Sequence, residues 1–218
     1  MPDLHILILA AGHSRRMRGD DKLLQKVGAV PLLRRIAQAA LALPAPVHVV
    51  LPPPAHPASA GREGALEGLP LSRITAPPET TAMGASLAAG VAGVPYDAKA
   101  VMVLLADMPE IDAADLRRMA RAYANVASAP QPPILRGASD SGKAGQLAPG
   151  HPVIFPRRLF DQLTTLDQDA GAAAIIRAEP QPPVLVPLPG RHALVDLDTP
   201  EAWAQWRANQ RDDETGKG

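Results

Sequence analysis

Between Leu9 and Lys22 the chain reads LAAGHSRRMRGDDK: the small residues Ala10, Ala11 and Gly12, then the hydroxyl of Ser14 and cations at Arg15, Arg16, Arg18 and Lys22. Small residues after an apolar strand let backbone N–H groups approach a phosphate closely, and a guanidinium and an ammonium beside them neutralise it. The expected ligand is a nucleoside triphosphate. Carboxylates stand further along, at Asp107 after the most apolar run of the chain and at Asp196 and Asp198 within Asp196-Leu197-Asp198-Thr199-Pro200. Magnesium takes one or two carboxylates together with phosphate oxygens and water. Residues of these two types are what phosphoryl transfer requires, since its catalysis is mostly positioning and charge neutralisation.

The glycine pattern narrows the class. No G-x-x-x-x-G-K-[ST] and no G-x-G-x-x-G is present, so neither the P-loop nor the dinucleotide-binding fingerprint applies. What stands at Leu9 to Lys22 is L-A-A-G-x-S-x-R-M-x-x-x-x-K. With Leu104–Pro109 (LLADMP), Gly150–Val153 (GHPV) and Asp196–Pro200 (DLDTP) in the same order, it resembles the MobA-like NTP transferase family. These are nucleotidyltransferases of GT-A-like Rossmann fold, and the match is best within them to the molybdenum cofactor cytidylyltransferases.

The resemblance implies a reaction and a role for each matching residue. CMP passes from CTP to molybdopterin cofactor with Mg²⁺, and pyrophosphate leaves. Leu9, Ala10, Ala11, Gly12, Ser14 and Ser86 contact the nucleotide. Arg16 holds the β- and γ-phosphates, Lys22 the α-phosphate, and Asp107 the metal. Asp198 is the second metal ligand, with Asp196 as the alternative. Gly150, His151 and Pro152 line the acceptor side. The L-A-A-G form goes with cytidine and an L-A-G-G form with guanine, and an added methyl does narrow a pocket in favour of a pyrimidine. The chain departs from the family at Gln168, which stands where a glycine precedes Asp169.

Each of these residues also has a plainer reading. Arg16 and Lys22 are surface cations in most proteins, Asp107 can cap a following helix, Ser14 can cap the next turn, and Ser86 can sit on a helix surface. Asp198 can cap the helix opened by Pro200, although Thr199 serves that purpose equally. Arg15 and Arg18 are read as surface residues. GTP in place of CTP, another phosphorylated acceptor, and a non-catalytic factor that carries the cofactor to a molybdenum enzyme all remain open.

To bring Gly12 and Asp107 together the chain needs strands that end at one edge. Strand-like runs lie at His5–Leu9, Val47–Leu51, Leu71–Thr75, Ala100–Ala106, His151–Phe155, Val184–Pro187 and Ala193–Leu197. Helical spacing marks Pro31–Leu43, Met83–Val94, Asp112–Tyr123, Arg157–Leu163, Ala170–Ala178 and Pro200–Gln210. Pro52–Gly68 reads as loop with a weak helix, and Ser128–Gly150 as a long polar loop. On a strand, Asp196 and Asp198 would point to opposite faces. Alternation of β and α predicts an α/β fold, a three-layer, mostly parallel Rossmann-like sheet with ligands at the carboxyl ends of its strands. Residues 1–210 are expected to form one domain and 211–218 a frayed tail.

Composition sets outer limits. The charge balances at 22 basic and 22 acidic residues, which gives no general nucleic-acid or membrane surface. The absence of cysteine excludes thiolate metal sites and cysteine nucleophiles. No apolar run reaches membrane-spanning length. The expectation is a cytoplasmic enzyme that binds neither nucleic acid nor membrane.

Overall fold

A computed structural model describes residues 3–78, 83–143, 145–166 and 171–215, with side chains up to Gln210. Two apolar strands form its centre. β1 (Leu4–Leu9) and β6 (Ala100–Leu105) lie side by side in parallel, paired from Leu4–Ala100 to Leu9–Leu105. Both are buried on both faces, and so both read as nearly unbroken apolar runs. β4 (Val47–Leu51) and β5 (Ser72–Thr75) extend the sheet in parallel beyond β1. On the other side of β6 come β8 (Leu147–Pro156), β7 (Leu135–Asp140) and the edge strand β9 (Val184–Pro187), giving the order β5-β4-β1-β6-β8-β7-β9. β8 runs antiparallel to both its neighbours, while β7 and β9 pair in parallel.

Alternation along β1 divides the core in two. Leu4, Ile6 and Ile8 face a layer containing α1 (Leu32–Leu41) and α4 (Ala113–Val126), with Ile36, Ala40, Leu116 and Met119 buried there. Leu7 faces α3 (Met83–Ala92) and α5 (Phe160–Thr164), with Leu87, Val91, Phe160 and Leu163. The small residues of α3 have a packing reason: a Cβ on Gly90 would stand 2.6 Å from Leu7 and 2.8 Å from Val50. α4 begins in a capping box in which Asp112 accepts from Ala114 and Asp115 N–H groups and Asp115 accepts from Asp112 N–H. Asp107 is thereby free of any capping duty.

Pro52–Gly68 holds the expected short helix, α2 (Ser59–Ala65), between loop segments. Other expectations change. The polar segment after Ser128 is not a loop throughout: it forms β7 and the first part of β8, a hairpin whose ladder satisfies its backbone despite the polar composition. Lys26–Val27 and Val30–Pro31 make a small hairpin, β2–β3, ahead of α1. Ala193–Leu197 is not a strand. It belongs to an irregular segment whose Leu194 and Val195 N–H groups both turn back to Arg191 O. α6 spans Ala173–Ala178, and the expected helix start at Ala170 and cap at Asp169, with Gln168, lie outside the described residues. The last helix, α7 (Pro200–Thr215), continues past Gln210 into the expected tail. Among the described residues no helix is long and apolar enough to cross a membrane.

Candidate active site

The β1 loop leaves the sheet at its carboxyl edge, still tied to its neighbours. Ala10 N–H donates to Val50 O at 2.9 Å, and Ala106 N–H donates to Leu9 O at 3.2 Å. Ala10 and Ala11 are buried. A Cβ on Gly12 would meet nothing within 4 Å, so the protein's own packing does not demand glycine there. The open space is of the kind a ligand approaching the backbone requires. Leu9 to Gly12, Lys22, Leu23, Met83, Ser86, Leu105 and Asp107 line one cleft. Ser86 is buried in the wall of that cleft rather than on an outer helix surface.

Lys22 opens a short 3₁₀ turn, Lys22–Leu24, whose N-cap Asp21 accepts from Leu23 N–H. Its ammonium lies 2.5 Å from Asp107 Oδ2 and 2.5 Å from Asp198 Oδ1, with only 14% of the lysine side chain exposed. Burial alone would lower the lysine pKa. The charges and hydrogen bonds of Asp107 and Asp198 outweigh it and raise the value above the ordinary lysine range. Arg16 also pairs with Asp198, from a position far more exposed to solvent. Burial opposes ionisation of Asp198, but Lys22 and then Arg16 overcome it and hold its carboxyl below the usual carboxylate value.

Asp198 reaches this point through backbone bonds. Leu197 N–H donates to Asp107 O at 3.1 Å, and His151 N–H donates to Ala193 O at 3.0 Å. A Cβ on Gly150 would stand 1.8 Å from Ala193 O, so only glycine lets the Arg191–Asp198 segment lie against β8. Thr199 takes the capping role, its Oγ1 accepting from Ala202 N–H at 3.2 Å, and Trp203 anchors α7 in the core. Asp196 stays within electrostatic reach of both Asp198 and Asp107. Burial, then the neighbouring charges of Asp198 and Asp107, push the Asp196 carboxyl upward. The expectation of opposite faces belongs to strands, and this segment is not one.

Ser14 does not cap its own turn. Its hydroxyl donates to Asp21 Oδ1 at 3.1 Å and accepts from Lys22 N–H at 3.3 Å. Arg15 does not share the contacts of Arg16, and Arg18 pairs with Glu201 at 2.5 Å on the surface. His151 lies on β8 with its pKa lowered to about 4, first by burial and then by Arg136, against the pull of Asp107. It is neutral near pH 7, and its Nδ1 is buried without a hydrogen-bond partner. One participant escaped the sequence reading. Arg62 on α2 binds Asp21 and Ser14 beneath the loop, and a lone arginine in a Pro-, Ala- and Gly-rich stretch carries no signal for this.

The donors present suit a divalent cation. Asp107 Oδ1 is buried with no partner, and Lys22 shows that Asp107 and Asp198 can close on one positive charge. Among the described residues no group of three or more acidic or histidine side chains is arranged to hold a metal ion, so phosphate oxygens and water would complete the shell.

Residues 6–184 match the family described as the MobA-like NTP transferase domain. No curated protein matches the chain. Among solved structures, Rv0371c from Mycobacterium tuberculosis H37Rv superposes with a TM-score of 0.76 at 22% identity, covering 94% of this chain and 97% of that one. A complex of Rv0371c with manganese gives 0.71 at 22% identity, covering 93% and 97%. CMP:2-keto-3-deoxy-manno-octonic acid synthetase complexed with CTP gives 0.72 at 16% identity, covering 97% and 99%. At these identities the structures speak for the shared fold.

Proposed function

The chain belongs to the MobA-like NTP transferase family and is a nucleotidyltransferase, and from that premise we propose that it transfers CMP from CTP to molybdopterin cofactor, with Mg²⁺, in the cytoplasm. The observation that carries this reading is the bridge from Lys22 to Asp107 and Asp198 beside the open backbone of Gly12. A cation and two carboxylates meeting beside that loop are the groups that nucleotidyl transfer calls for.

In this reading the N–H groups around Gly12 and the Arg16 guanidinium take the β- and γ-phosphates, for which a planar fork is suited. Lys22 leaves the carboxylates for the α-phosphate and stabilises the charge that develops as the acceptor phosphate attacks and pyrophosphate departs. Asp107 and Asp198 would hold the metal, with Asp196 as the alternative, and its charge would neutralise the triphosphate. Ser86 and the buried Ala10 and Ala11 bound the pocket on the nucleotide side. Gly150, His151 and Pro152 serve the acceptor side, and a recipient molybdenum enzyme takes the product.

Support for cytidine comes from the Leu9-Ala10-Ala11-Gly12 loop, whose methyl groups reduce the width available to a base, and from a fold shared with a synthetase solved with CTP. Support for a divalent ion comes from the unpartnered Asp107 Oδ1 and from a structural neighbour solved with manganese. The test is pyrophosphate release from CTP and from GTP, each with Mg²⁺ and molybdopterin cofactor. Release with CTP that disappears in Asp107→Ala is expected. Equal release with GTP would remove the base assignment, and release indifferent to the cofactor would remove the acceptor.

A further inference from the structure

Arg62 has no exposed surface, with 0% of its side chain accessible. A guanidinium taken out of water is tolerated only when its donors are paired, and here they are. Nε donates to Asp21 Oδ2 at 2.7 Å, and Nη2 donates to Asp21 Oδ1 at 2.9 Å and to Ser14 Oγ at 3.2 Å. Nη1 donates to Ala10 O at 2.6 Å. One side chain on α2 thus grips the first residue of the loop, its hydroxyl residue, and the carboxylate that caps the turn of Lys22.

This grip has something to hold. Ser14 lies at φ 49°, ψ 29°, a left-handed conformation that is costly for a residue with a side chain. It persists where surrounding bonds fix it, and the Ser14 hydroxyl joins Arg62, Asp21 and the Lys22 N–H. Because Arg62 is fully covered, it cannot touch a triphosphate and can act only through the loop.

We propose that Arg62 is a positioning residue that presets the 10–14 loop and Lys22 for the triphosphate, an inference that rests on the nucleotidyltransferase reading. The fork geometry is essential to it, since a lysine ammonium cannot span Asp21 with two parallel bonds and reach Ala10 O as well. A preset loop spares the nucleotide the cost of ordering it.

The experiment compares wild type with Arg62→Lys by hydrogen exchange of the amides from Ala10 to Leu23 and by calorimetric titration with CTP and Mg²⁺. Arg62→Lys should speed exchange across the loop while β6 amides keep their protection, and should weaken CTP binding roughly tenfold or more. Leu116→Ala, a core change in α4, serves as a control that lowers stability without weakening CTP. Should Arg62→Lys fail to fold, Asp21→Asn removes the charge pair and keeps the shape, and the same loop-confined loosening is expected. Unchanged loop exchange, or a loosened loop with undiminished CTP affinity, overturns the proposal and leaves the proposed activity standing. A wild-type protein that binds no nucleotide overturns both.

Discussion

Two glycine-bearing segments flank Asp107, and they are glycine for opposite reasons. At Gly12 a side chain would enter empty space, whereas at Gly150 it would collide with Ala193 O at 1.8 Å. The first segment leaves room for something the protein does not itself supply. The second is filled by the protein's own backbone, and its tight contact carries Asp198 to Asp107. A motif match treats the two letters alike, but the surroundings separate a glycine that opens on free space from one that the fold requires.

The largest effect tests the side that the open glycine faces. Lys22→Met should lower kcat for nucleotidyl transfer by about 10³-fold, while leaving Asp107 and Asp198 free to take Mn²⁺ without nucleotide. Turnover within tenfold of wild type would mean that the ammonium only pairs the two carboxylates. On the closed side, Gly150→Ala should cost about 3 kcal/mol in urea unfolding and displace Asp198 as the Arg191–Asp198 segment lifts from β8. A variant as stable as wild type would show that the contact gives way easily.

The same closed side should show a pH dependence. The pKa of His151 is lowered from 6.5 to about 4, so the unfolded chain binds its proton first as the pH falls. The stability is fully present above about pH 6.5 and is lost as the pH drops toward 4. His48, also at about 4, contributes over the same window. The informative quantity is therefore the difference between wild type and His151→Gln, expected to be on the order of 2 kcal/mol between pH 7 and pH 4. A His151→Gln variant that loses stability as steeply as wild type would contradict it. Least disruptive is Gly12→Ala, which should raise KM for CTP about tenfold with no change in the urea midpoint. A stability loss with KM unchanged would reverse the contrast between the two glycines.

Much of the Gly12 side of the cleft was legible because its signals are local. Strand, small residues and cations follow one another from Leu4 to Lys22, and the apolar run before Asp107 announces a central strand. The other side depends on contacts between distant segments. The apolar residues of Ala193–Leu197 suggest a strand, yet Ala193, Leu194, Val195 and Leu197 pack against the core without a ladder of their own. The β7–β8 hairpin was hidden by its Pro, Gly and Ser content, and pairing overrode propensity there. Arg62 was invisible because its importance lies in burial, which a single sequence does not display for a charged residue on a short helix.

If the Gly12 loop, Lys22, Asp107 and Asp198 form one nucleotide and metal site, anomalous diffraction from crystals soaked with CTP and Mn²⁺ will show a manganese peak between Asp107 and Asp198. The triphosphate will lie over Gly12, with Lys22 moved onto the phosphates. Manganese away from both aspartates, or a triphosphate elsewhere on the molecule, would rule out a shared site.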